Sequence, residues 1–79
     1  MLQAQSPKNQ AQVNRAVKYL IKHNELNDQR DQVAGEHGED SKVWAVVDRQ
    51  CARFFDKFEE ACDELPKYEQ KAILNSNLY

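Results

Sequence analysis

The chain has 79 residues, of which 41% are hydrophobic and 30% charged, with two Gly, two Pro and a formal net charge of −2. Its length sets one domain with a thin stability margin, since a chain this short buries only about 60% of the surface its unfolded form exposes. No run of about 18 apolar residues occurs, which excludes a membrane-spanning helix, and residues 1–10 lack the basic and apolar regions of a secretory signal.

Ser6 followed by Pro7 reads as a helix start, because a serine hydroxyl can cap free backbone N–H groups and proline at the first helical position loses nothing. A first helix is expected over 7–23. On a helical wheel Val13, Ala16, Val17, Leu20 and Ile21 lie within about 140° of one another, with Lys8, Arg15, Lys18 and Lys22 clustered opposite. If that helix continued, Leu26 and Val33 would rotate onto the basic face, so the pattern predicts a break near Asn24. Residues 25–34 then read as a short second helix whose packing surface is limited to Leu26, Val33 and Ala34. Residues 35–40 read as a loop freed by Gly35 and Gly38.

The clearest element covers 40–65. Trp44, Val47, Cys51, Phe54, Phe58, Ala61 and Leu65 alternate at three- and four-residue spacing, flanked by Val43, Phe55 and Cys62. At about 100° per residue they fall within an arc of about 120°, the stripe of a long amphipathic helix that buries one face. Asp40 or Ser41 caps it. Pro66 ends it, since proline disfavours helical geometry at Leu65 and has no N–H to donate. Pro66 also suits the start of a last short helix over 66–74, with Tyr68, Ala72, Ile73 and Leu74 to close over the core and a tail over 75–79. The expected fold is therefore all-α, a single small bundle of three or four helices built on one long central amphipathic helix. The first and long helices are expected to pack antiparallel through Val13, Val17, Leu20 and Ile21 against Trp44, Val47, Cys51, Phe54 and Phe58.

Charge is laid out unevenly. Residues 1–24 hold Lys8, Arg15, Lys18 and Lys22 with no acid, and residues 25–41 hold Glu25, Asp28, Asp31, Glu36, Glu39 and Asp40 against Arg30 alone. Farther on, Asp56, Glu59, Glu60 and Asp63 form an acidic row on the outer face of the long helix, while Asp63 and Glu64 oppose the macrodipole at its C-terminus and precede the helix opening at Pro66. The leading expectation is a non-enzymatic interaction module, a regulator, adaptor or inhibitor whose acidic row contacts another protein, for instance a basic nucleic-acid-binding one. The alternative is direct binding of nucleic-acid phosphates by Arg15, Lys18 and Lys22 on the basic face of the first helix, although the rest of the chain is acidic and would be repelled by a duplex.

The acidic row also resembles, over one helix only, the paired acidic motif of all-helical nucleotide pyrophosphohydrolases, which implies a Mg²⁺-dependent hydrolase as a third reading. That family needs a second acidic cluster on a facing helix, where the first helix here offers basic groups. No cofactor and no metal site is expected. His37 sits among hard oxygen donors, yet no Cys-x-x-Cys or His-x3-His spacing supports a metal, and an exposed loop histidine is the plain reading.

Cys51 and Cys62 lie eleven positions apart on one helix. At 1.5 Å rise that is about 16 Å, too far for a bridge, and a reducing, cytoplasmic setting is expected. Both fall on the apolar stripe as small hydrophobes, without a histidine or lysine at helical spacing to hold a thiolate. Finally, the long helix is expected to be about 36 Å long against about 25 Å for the first helix, so its stripe should overhang and be covered by a second copy in a homodimer. A last helix folding back through Tyr68, Ile73 and Leu74 is the competing cover.

Overall fold

The computed structural model describes residues 3–76. A 3-10 turn at Pro7–Asn9 leads into helix α1 (Gln10–His37), followed by α2 (Lys42–Asp63) and the short α3 (Lys67–Leu74). The fold is all-helical, with α1 and α2 forming a long hairpin. The molecule is elongated, with extents of 45 × 20 × 16 Å. The tail expected over 75–79 lies outside the described residues from position 77 on.

The main departure from expectation is in α1. It runs unbroken for 28 residues, where the sequence pattern predicts a break near Asn24, a separate helix over 25–34 and a loop from Gly35. Two stripes on α1 explain the difference. At about 100° per residue from Val13, the residues Ala16, Leu20, His23, Asn27 and Arg30 fall between about 260° and 340°, with Tyr19 at about 240° and Leu26 and Val33 at about 220° and 200° extending that side. This is the stripe that meets α2, as cross-helix contacts from Gln12 to Ala61, Tyr19 to Phe54, His23 to Cys51 and Arg30 to Asp48 show. Leu26 and Val33 are accordingly buried. Val13 and Val17 belong to a second, adjacent stripe and share a core cluster with Ile73 of α3. Ile21, expected in the core, lies beyond both and is 37% exposed.

The second stripe also determines where the third layer ends. Continued toward the tip of the hairpin, it reads Asn24, Asp28, Asp31 and Gly35, at about 0° to 60° on the same wheel. No apolar surface is offered there, and Asp28, Asp31 and Gly35 are exposed. The near half of the hairpin therefore has three layers and the far half has two.

The turn between α1 and α2 is short and closed by two devices. Gly38 adopts φ 83°, the left-handed geometry that glycine takes without a Cβ penalty, and its N–H donates to Ala34 O at 3.0 Å. Ser41, rather than Asp40, caps α2: its Oγ accepts from Trp44 N–H at 3.1 Å and donates to Gly38 O at 2.9 Å. Gly35, by contrast, is helical, and a Cβ built there meets nothing within 4 Å. Gly35→Ala should stabilise the protein by about 0.5–1 kcal/mol through the unfolded chain's lost freedom. Chemical denaturation checks this; a destabilised variant would mean that helix α1 does not extend through residue 35.

At the opposite end, Ser6 is extended but makes no side-chain cap, and Pro7 opens the 3-10 turn. Helix α3 is held by one fully buried apolar side chain, Ile73. Tyr68 and Leu74, expected to close over the core, are instead about half exposed. Glu69 is 1% exposed. Its Oε1 accepts from Gln5 N–H at 2.6 Å, fastening the N-terminal segment to α3, while Oε2 is buried without a hydrogen-bond partner among the described residues.

The overhang expected of the long helix does not occur. Helix α1 has 28 residues and α2 has 22, about 42 Å and 33 Å of helix, so α1 spans its partner fully. The expected single long central helix is thus a pair.

Candidate functional site

The acidic row occupies the C-terminal half of α2, a helix held by α1 along one side and by α3 near its end. Asp56, Glu59, Glu60 and Asp63 are all exposed. Ion pairs among the described residues join Lys22 to Glu25, Arg30 to Asp48 and His37 to Glu36, so none of the four carboxylates is in one. The row straddles the back of the helix. Glu59 and Asp63 border a shallow groove with Phe55, Phe58, Cys62 and Leu74, whereas Glu60 borders another with Arg15, Tyr19 and Lys57. The carboxylates thus diverge toward solvent. Among the described residues no group of three or more His, Cys, Asp or Glu is gathered to hold a metal ion.

Arg15, Lys18 and Lys22 are exposed along the outer face of α1. The structure adds what sequence spacing does not give. The rings of Tyr19 and Phe54 meet at 6.3 Å beside this row, with the Lys57 ammonium 5.7 Å and 5.4 Å from their centroids. It also adds opposing charge: Lys22 lies 3.8 Å from Glu25, and Arg15 shares its groove with Glu60 and Glu64.

A polar seam crosses the hairpin where sequence reasoning sees only an apolar stripe. His23 Nδ1–H donates to Cys51 O at 3.0 Å, and Cys51 S–H points back to His23 O at 3.8 Å. Sγ lies 3.3 Å from Nδ1, and the imidazole rests 4.9 Å from the Phe55 ring. Two turns on along α1, Arg30 donates to Asp48 and to Asn27, both at 2.6 Å. The hydrogen bond to Asp48 pushes the Arg30 guanidinium further above its ordinary value. Burial pushes the Cys51 thiol up, opposed by Arg30, so the thiol stays protonated at neutral pH despite its histidine neighbour. Burial likewise raises Cys62, aided by Asp63. Both cysteines are free and buried. The signal for this seam is the continuation of the three- and four-residue spacing past Leu20 in polar residues: His23, Asn27 and Arg30.

His37 is the last residue of α1 and lies exposed, 4.0 Å from Glu36. Among the described residues no helix is long and apolar enough to cross a membrane.

Comparison of the chain with protein-family models, with curated proteins and with solved structures finds no significant match.

Proposed function

We propose that this chain is a non-enzymatic interaction module, a small regulator, adaptor or inhibitor that presents Asp56, Glu59, Glu60 and Asp63 to a basic protein surface. The observation that carries the reading is the row itself: four exposed carboxylates on one helix, without an ion pair to any described residue, backed by packed side chains. Such charges contribute little to folding but strongly to encounter and partner choice. Because Phe58, Ala61 and Cys62 anchor the same helix in the core, the row is presented with little freedom to reorganise, which lowers the ordering cost of binding.

The test is capture from host lysate at low salt with the native chain and with Glu59→Lys/Asp63→Lys. The variant should keep the native melting temperature and lose the captured basic proteins. An unchanged captured set would remove this face from the site. The second reading, contact of Arg15, Lys18 and Lys22 with nucleic acid, is favoured by the Tyr19–Phe54 ring pair beside them and opposed by Glu25, Glu60 and Glu64. Affinity for single-stranded DNA that collapses with added salt would put that reading first.

A further inference from the structure

The charges of α2 are sorted in a way that disfavours the helix standing alone. Its N-terminal part carries Arg49 and Arg53, four residues apart, and its C-terminal part carries Asp56, Glu60 and Glu64 at the same spacing. Like charges four apart on one helix each cost about 0.2–0.5 kcal/mol. The helix also has no acid in its first turn and no base in its last, so its charges run against its own macrodipole at both ends.

These residues share one stripe. Measured from Val47 at about 100° per residue, Arg49, Arg53, Asp56, Lys57, Glu60 and Glu64 fall between about 180° and 280°, away from the buried stripe. None of them forms an ion pair with a described residue. Within the helix the nearest opposite charges at facing spacing are three residues apart, Asp56 to Arg53 and Glu60 to Lys57, and neither couple is joined by an ion pair, while Lys57 lies over the Tyr19 and Phe54 rings and Glu64 accepts from Gln12 Nε2–H at 2.8 Å.

The geometry points to a second copy of this chain as the occupant of this face, packed antiparallel about a two-fold axis between Asp56 and Lys57. In that register Arg53 comes level with Glu60 of the second copy and Arg49 with Glu64, and each pair occurs twice, as an isologous interface requires. The acidic C-terminal part of each α2 then lies beside the basic part of the other, which relieves both the like-charge spacing and the macrodipole mismatch. A parallel arrangement would set Arg53 against Arg53 and Glu60 against Glu60.

The shared face is narrow, one helix wide and about four turns long, below the roughly 800 Å² per partner of a standard interface. The dimer is therefore weak and salt-sensitive. This inference goes beyond the partner reading and competes with it for Asp56 and Glu60, whereas Glu59, at about 120° on the same wheel, lies outside the shared face; the two readings fail separately, because association is measured with no partner present.

Sedimentation equilibrium at low ionic strength, up to millimolar protein, tests it without any partner present. The native chain should rise above the 9.2 kDa monomer and return to it in high salt. Arg53→Glu and Glu60→Arg should each be monomeric, with unchanged circular dichroism. Mixing those two variants should restore association, because every opposed pair is again complementary, and so should the double variant Arg53→Glu/Glu60→Arg. A native chain that stays at monomer mass overturns the inference. So do single variants that still associate, or dissociated variants that neither mixing nor the double exchange rescues.

Discussion

Phe58→Ala should cost about 3–5 kcal/mol, the range for emptying a buried phenylalanine site, and leave the chain largely unfolded near body temperature. Phe58 is 3% exposed and sits where all three helices meet, in one cluster with Leu20, Ala61 and Ile73. Its ring also supports Phe55 at 5.8 Å, and Phe55 in turn backs His23. Phe54→Ala is the informative comparison. The two phenylalanines read alike in the sequence, but Phe54 is only half-buried, against Tyr19 and beneath Lys57. It should cost clearly less, about 1–2 kcal/mol, in line with its smaller burial. Urea denaturation of the two variants decides the matter; equal losses would mean that Phe54 is as enclosed as Phe58.

Ile73→Ala should cost about 2–5 kcal/mol and release α3 from the hairpin. An isolated helix of eight residues is not stable in water, so α3 exists only while it is docked. Ile73 is its one fully buried apolar side chain, and the remaining ties are polar: Gln5 N–H to Glu69, Gln70 Nε2–H to Leu65 O at 2.8 Å, and Asn9 to Tyr68 at 3.3 Å. Hydrogen exchange should show amides 69–74 losing protection in the variant while those around Leu20 and Phe58 keep part of theirs. Retained protection over α3 would transfer its anchoring to the buried Glu69 and its contact with the N-terminal segment.

The parts of this fold that are legible in the sequence are those whose packing is apolar. Helix α2 is plain because every residue of its inward stripe from Val47 to Leu65 is apolar or aromatic, and its end is plain because Pro66 imposes it. Helix α1 is only half legible, because its inward face changes chemistry at His23 while its geometry does not. Val13 and Val17 are the misleading residues: they share the cluster that Ile73 of α3 joins, so a stripe centred on them and Leu20 lies to one side of the α2-facing arc and sends Leu26 and Val33 to the wrong side. The acidic row and the basic row are legible as rows, since exposed helical spacing carries over directly. What lies across from them is not. That Glu60 shares a groove with Arg15, or that Lys57 sits over Tyr19 and Phe54, depends on the pairing of two helices far apart in sequence.

The polar seam has a consequence for alignment. Two helices joined by an uninterrupted apolar seam can slide by a turn, about 5.4 Å, and still find apolar neighbours. Here such a slip would set Arg30 against Trp44 or Ala52 and Asp48 against Leu26 or Ala34, breaking the bond between the two charges. With the two side chains 30% and 42% exposed, the slip forfeits the charge-assisted hydrogen bond while both charges keep water. Arg30, Asp48, His23 and Cys51 thus work as a key: their hydrogen bonds are made in one register of the hairpin and lost in its neighbours. Replacing Arg30 and Asp48 together by leucine would yield a tighter hairpin with more than one resting position.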